Sequence, residues 1–248
     1  MDGASLYAGN AVAMWSSLVP WSRPVPGTPP GVAVIGVPAQ RASRILVRWP
    51  GAAEPGQIAA LVTAATEHGR VVVEDSFGDL RLPLAGQVTV ERMPLMLRPA
   101  GGVAAPVNGT DIDVVRVADR DALAIAEQVI VDGFPRRVPR PYPPGIILPP
   151  QMLTAPGWAM WLACHDGDPA AAVCSYDDGA ALGIYWLATL PRHRSRGLGR
   201  AVMTAALGGC PGLPAVLVAT AAAESLYLSL GFTAVAEAVW CRIPDPAA

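Results

Sequence analysis

The sequence predicts a mixed α/β (α+β) fold, a mixed central sheet flanked by helices, preceded by a smaller α/β region. Three observations predict it. Apolar residues make up 52% of the 248 residues and charged residues only 15%, so the chain can bury a sizeable core and is not of the charge-rich disordered kind. Short runs rich in Val, Ile and aromatic residues recur along it, some parted by Asp-Gly. Between them lie segments with apolar residues at helical spacing. At roughly 150 residues per domain the length fits one large domain or two ordinary ones.

The elements follow in order. Leu6, Ala11, Met14, Trp15 and Leu18 suit one apolar face of an opening helix. A Pro-rich stretch from Val19 to Gly31 is then an irregular connection, because proline lacks an N–H and disfavours helix before it. GVAVIGVP and RILVRWP read as two strands. PGQIAALVTAATEHG reads as a helix buried through Ile58, Leu61, Val62 and Ala65, with Gly69 as its C-cap. RVVVED and GQVTVERMPLML read as strands. The Gly, Pro and Asn of RPAGGVAAPVNGTD mark a linker. The expected organisation is therefore an N-terminal region over 1–99, a linker over 100–109 and a second domain over 110–248.

That domain opens with a strand, DIDVVRV, and a helix, DRDALAIAEQVIVDGF, with Asp119 as N-cap and Gly133 as its stop. A second Pro-rich stretch runs from Phe134 to Pro150. WAMWLACHDGD, PAAAVCSYDDG and ALGIYWLATLP form an antiparallel meander joined by Asp-Gly turns. RGLGRAVMTAALGG is a helix, AVLVAT a buried strand, AAESLYLSLG a short helix and FTAVAEAVWCRI the last strand.

Composition narrows the chemistry. The basic residues are 18 arginines with no lysine, which excludes Schiff-base chemistry and a P-loop lysine. A net charge of −2 disfavours nucleic acid as a partner. No apolar run is long enough to span a membrane, and the acidic start lacks the basic residues of a signal peptide, so a soluble, cytoplasmic protein is expected. Cys164, Cys174, Cys210 and Cys241 show no metal-ligand spacing and are expected as buried thiols, with no metal site. His165 stands beside Cys164, but neighbours on a strand point to opposite faces, so no catalytic pair is expected there.

The junction between ALGIYWLATLP and RGLGRAVM is the most specific place in the chain. A strand ends at Pro191, and Arg194-Ser-Arg-Gly197-Leu-Gly199 opens a helix. Glycines allow close backbone approach, and a helix start offers unpaired N–H groups with a positive dipole. Arg192, Arg194, Arg196 and Arg200 add positive charge, so the spacing suits a pyrophosphate cradle. A dinucleotide fingerprint fails because Val202 stands where its third glycine belongs.

This segment resembles the acyl-CoA motif of the GNAT N-acetyltransferase superfamily, [RQ]-x-x-G-x-[GA]. Thr189-Leu190-Pro191 corresponds to the step before that motif. Downstream, TAAAESLYLSLGF resembles the family's N-x-x-A-x-x-L-Y-x-x-L-G-F, matching at Ala223, Leu226, Tyr227, Leu230, Gly231 and Phe232. The resemblance covers about Thr110 to Ile243. It implies the GNAT fold and acetyl-CoA as co-substrate. It implies that the backbone at Leu187, Ala188 and Thr189 holds the pantetheine arm and thioester. The cradle of Arg194, Ser195, Arg196, Gly197, Leu198, Gly199 and Arg200 would hold the pyrophosphate. Tyr227 would protonate the leaving thiolate, a role that suits a phenol with a pKa of about 10; the other reading of Tyr227 is a core residue beside Leu226 and Leu230.

Two departures stand out. Thr220 replaces the family's Asn, keeping a hydroxyl but losing the amide. No Glu lies in ALGIYWLATLP or AVLVAT, where many members carry a general base. Asp177, Asp178, Tyr185, Glu127 and Asp132 are the nearby ionisable residues, with Asp177 and Asp178 read as solvated turn acids. A water chain or a low-pKa amine would remove the need for a side-chain base. Arg136, Arg137 and Arg140, in the loop that shapes the family's acceptor pocket, would suit an acidic acceptor because Arg binds carboxylates bidentately. Residues 1–99 resemble a shortened, degenerate copy of the same fold, with VVVEDSFG near the place of the second motif and no cofactor expected. The expected activity is acetyl transfer from acetyl-CoA to a small-molecule or peptide primary amine by direct attack. The competing class is a non-catalytic acyl-CoA-binding sensor or scaffold. The expected protein partnership is a homodimer.

Overall fold

The structure is a computed structural model that describes residues 2–19, 25–83, 88–103, 111–134 and 141–246. It divides into two compact units. One comprises residues 1–97, 218–224 and 233–248, the other residues 98–217 and 225–232.

In the first unit, α1 (Gly3–Ser17) starts where Asp2 Oδ1 accepts from the Ser5 amide at 2.9 Å. Its buried face carries Tyr7, Asn10, Ala11, Met14 and Trp15, while Leu6, expected on that face, is only half-buried. Strands β1 (Val32–Val37) and β2 (Ala42–Val47) pair antiparallel across a tight turn, and β2 starts two residues before the predicted Arg44. Helix α2 (Pro55–Thr66) carries the chain to β3 (Arg70–Asp75), parallel to β2. Ile58, Leu61, Val62 and Ala65 face a core of Val32, Ile45, Val71 and Val73, as their spacing predicts. The helix ends at Thr66, so Gly69 is not its cap. Gly69 has φ +121°, and a Cβ there would lie 2.2 Å from the Arg41 carbonyl oxygen, so glycine is required by a close approach of backbone to backbone.

Strands β4 (Thr89–Arg98) and β10 (Thr233–Ile243) complete this unit's sheet. Its order is β1-β2-β3-β10-β4, with β10 antiparallel to both neighbours. Inside it, Arg44 is ion-paired with Glu74, both buried, and the Arg44 guanidinium stacks 3.8 Å from the Trp15 ring centre.

The second unit has the sheet order β9-β8-β7-β6-β5. Strand β5 (Ile112–Arg116) leads to α3 (Arg120–Gly133), whose N-cap Asp119 accepts from the Ala122 amide at 2.8 Å. A 3-10 turn at Pro150–Leu153 precedes the meander of β6 (Trp158–His165), β7 (Asp168–Asp177) and β8 (Leu182–Thr189). Asp166 and Gly167 take φ of +53° and +82° in the β6–β7 turn, as a two-residue hairpin with right-twisted strands requires. Helix α4 (Leu198–Gly208), β9 (Ala215–Val218) and α5 (Glu224–Ser229) follow. A Cβ on Gly133 would approach Ala188, which pairs with Ala172, so α3 covers that face. One on Gly209 would approach Trp161, so the end of α4 lies on the opposite face.

Candidate functional site

The site is built where β8 leaves its neighbours. With β9 it pairs in parallel only at Leu182–Ala215 and Gly183–Val216, although the strand runs on to Thr189. On the other side, Tyr185 pairs with Cys174 and Ala188 with Ala172, so Trp186 and Leu187 together face the single residue Val173. This is a β-bulge, and Trp186 takes φ +52° in it. The Leu190 amide donates to Ala170 O at 2.9 Å. Antiparallel pairs alternate between bonded and non-bonded, so Ala188 bonds into β7 while the Thr189 N–H and C=O turn away from it. Of the three expected backbone contacts, Thr189 faces the opening, Leu187 sits in the bulge and Ala188 is buried in the ladder.

The chain then makes the cradle. Pro191–His193 is a 3-10 turn, Ser195 has φ +61° and Gly197 has φ +87° as N-cap of α4. Left-handed residues alternating with ordinary ones gather successive N–H groups in a concave nest. The Ala201 amide makes a helical bond to Gly197 O at 2.9 Å, so the amides of Leu198, Gly199 and Arg200 precede the helical ladder and have no acceptor within it. A Cβ on Gly197 would find only Ile112 Cδ1, at 3.9 Å, whereas one on Gly199 would touch Thr189 Oγ1 and Leu226 Cδ2 at 3.4 Å. Gly199 is thus where the end of β8, the first turn of α4 and α5 meet. Leu198 anchors the helix start in the core, while Arg194, Ser195, Arg196, Gly197 and Arg200 are exposed.

Two of the arginines also brace the fold. Arg194 Nε donates to Thr189 O at 3.3 Å and its Nη2 to Gly133 O at 3.0 Å. Arg200 Nη2 donates to Ser229 Oγ at 2.6 Å, tying α4 to α5. Tyr227, on that clamped helix, is buried with its ring edge-on to Phe232 at 5.8 Å. Burial pushes its phenol well above the ordinary value. That makes it a weaker acid than the phenol of pKa about 10 that the general-acid role assumes, and among the described residues no other side chain hydrogen-bonds its hydroxyl.

The remaining candidates divide. Arg136, Arg137 and Arg140 lie outside the described residues. Thr220, exposed after β9, is counted with the first unit, and no place in the cradle is assigned to it. Tyr185 is buried beside Trp186. Asp177 accepts from the Gly179 amide, and Asp178 from those of Ala180 and Ala181, as turn acids do. Asp132 is exposed and accepts from Gln128 Nε2.

Glu127 is fully engaged. It is buried on α3, its Oε2 accepting from the Gly145 amide at 2.6 Å and its Oε1 from Ile147 and Leu148 at 2.7 and 3.2 Å. Cys174 and Cys241 are buried as expected, but Cys164 and Cys210 are only half-buried; all four are free thiols. No cluster of metal-ligating side chains occurs among the described residues. Nor does any helix there reach the length and apolarity needed to cross a membrane.

Sequence reasoning missed a histidine contact beside the cradle. His193 is buried 5.5 Å, ring centre to ring centre, from His165, and its Nε2 accepts from Arg192 Nε at 3.0 Å. Its buried Nδ1 has no partner among the described residues. Burial first, then the charges of Arg192, His165 and Arg196, hold its pKa below the ordinary histidine value.

Residues 156–234 match the family model described as acetyltransferase (GNAT) domain. Among solved structures, the chain is similar to a GCN5-related N-acetyltransferase from Kribbella flavida, with a TM-score of 0.68 and 20% identity over 98% of this chain and 96% of the other. It is also similar to a GCN5-related N-acetyltransferase from Sphaerobacter thermophilus, with a TM-score of 0.56 and 16% identity over 86% of this chain and 76% of the other. No curated protein matches it by sequence.

Proposed function

We propose, from the premise that this chain belongs to the GNAT superfamily, that it transfers an acetyl group from acetyl-CoA to a primary amine by direct attack. The observation that carries this reading is the coincidence of three things in one unit: the opening beside β8, the glycine nest at the start of α4, and a buried tyrosine on the helix clamped to that start. The residues fit the group. The space over Gly197 and the free amides of Leu198, Gly199 and Arg200 suit a pyrophosphate, with exposed Arg196 adding charge. Thr189 and Leu187 offer backbone groups to the pantetheine arm.

Acetyl-CoA, when bound, supplies an activated thioester. The amine nitrogen forms the new C–N bond as the C–S bond breaks. The amine gives up one proton to solvent, the thiolate takes one from the Tyr227 hydroxyl, and solvent returns a proton to the Tyr227 oxygen before the next turnover. Two reactants held in one cleft gain much of their rate from proximity. Glu127 is not the base in this scheme, since its oxygens are engaged by three amides.

Thiol release from acetyl-CoA over an amine panel tests the activity. Tyr227→Phe removes only the hydroxyl, so kcat falls by about 10²–10⁴-fold while the acetyl-CoA KM stays near the wild-type value. Gly197→Glu places a side chain and a negative charge in the cradle, so calorimetry shows CoA binding lost in a folded protein. Tight CoA binding by the wild type without turnover on any amine would favour a sensor or scaffold, the reading that the missing strand glutamate and Thr220 support.

A further inference from the structure

The bulge in β8 does more than open the strand. It brings a tryptophan to a face where regular alternation would not put it. Trp158 pairs with Tyr176, and Cys174 with Tyr185, so Trp158, Tyr176 and Tyr185 share the face on which α3 meets Ala188. The Trp186 ring joins them, parallel to Trp158 within 1° at a centroid distance of 6.0 Å, with Tyr185 tilted against it at 6.1 Å. Tyr176 packs on the other ring, 5.1 Å from Trp158. Trp158 and Tyr185 are buried, so they fix Trp186, which stays half-buried. A left-handed φ costs a bulky non-glycine residue of order 1–3 kcal/mol, and such outliers collect at ligand sites.

The surroundings define what such a surface accepts. Trp186 immediately precedes Leu187 in the bulge, on the strand that borders the opening where the acetyl group would lie, and its ring lies over β7 toward Trp158 of β6. Strand β8 contains no acidic residue. At the end of β7, Asp177 and its neighbour Asp178 accept from turn amides, Asp132 of α3 accepts from Gln128, and Glu127 of α3 holds three amides. A polycationic amine would find no unspent carboxylate among these residues, whereas a flat ring would find an indole backed by the rings of Trp158 and Tyr185.

We propose that Trp186, set by Trp158, Tyr176 and Tyr185, is a specificity-determining residue for the acceptor, and that the acceptor is an amine carried on an aromatic group. This rests on the acetyl-transfer reading above. The test compares phenethylamine with n-butylamine in thiol release from acetyl-CoA by the full chain, with CoA affinity measured separately by calorimetry. The wild type prefers phenethylamine. Trp186→Leu lowers the phenethylamine-to-butylamine ratio of kcat/KM by about tenfold, mainly through the phenethylamine KM, and Trp186→Phe restores part of it.

An unchanged ratio in a Trp186→Leu protein that still binds CoA overturns the proposal and leaves acetyl transfer standing. So does a change confined to the preference between acetyl- and hexanoyl-CoA, which would assign the ring to the acyl chain. If the wild type turns over neither amine, the transfer reading fails. The aromatic surface is then read by saturation-transfer NMR on the CoA-loaded protein: phenethylamine binding that Trp186→Leu abolishes supports it, and equal or absent binding of both amines overturns it.

Discussion

Glu127→Gln separates an anchor from a base. The wild-type carboxylate gives one oxygen to the Gly145 amide at 2.6 Å and the other to Ile147 and Leu148 at 2.7 and 3.2 Å. Glutamine keeps one acceptor oxygen and turns the other into a donor. Its better orientation keeps the oxygen on Ile147 and Leu148, so an NH₂ group faces the Gly145 N–H. One charge-assisted bond is lost and a donor is left against a donor. Such a bond contributes about 1.5–3 kcal/mol, and relief of the buried charge offsets part of the loss. The expected net cost is about 2 kcal/mol. For a chain of this length, that lowers Tm by roughly 4–8 °C. Urea unfolding measures it directly, as a lower midpoint at unchanged m-value. Glu127→Ala, which strands all three amides, costs more. A Gln variant with the wild-type urea midpoint would refute the anchoring role. A Gln variant of wild-type stability that had also lost its pH–rate dependence would instead return Glu127 to the list of bases.

Two further outcomes follow from local geometry. Gly69→Ala puts a Cβ against the Arg41 carbonyl in a backbone conformation that L-residues avoid, so urea unfolding shows a loss of about 2–4 kcal/mol; a loss below ~1 kcal/mol would mean that the turn relaxes freely. Because His193 in the fold is held below its ordinary value, the unfolded chain takes up a proton first as pH falls from about 6.5. Its contribution to stability is therefore intact above that pH, is lost as pH falls toward the folded-state value, and levels off below it. His193→Gln flattens that part of the stability–pH curve, and equal slopes in variant and wild type would remove His193 as its cause.

The elements were legible in the sequence because they are local. Ile58, Leu61, Val62 and Ala65 repeat at helical spacing and face one core. Asp119 sits where a helix needs an acceptor for its first amides, and it caps. The pairing of β10 between β3 and β4 was not legible, since nothing in FTAVAEAVWCRI names partners over a hundred residues earlier in the chain. Gly69 was misread for a related reason: a glycine after a helix ordinarily caps it, and only the fold shows that the Arg41 carbonyl occupies the space a side chain would need.

The same distinction divides the candidate site. The cradle is one continuous stretch from Thr189 to Arg200, so its glycines, arginines and helix start could be read together. Tyr227 could be read because its helix repeats a recognisable spacing. The aromatic surface is assembled from three strands, and Trp186 reaches it only because the bulge breaks the alternation that would have turned it to the other face. The role of Glu127 depends on amides 18 to 21 residues away. Groups that bind what every member of a fold shares can sit in a contiguous motif. Groups that choose an acceptor are gathered from separate elements, so a bulge of one residue can alter the choice without touching the cradle.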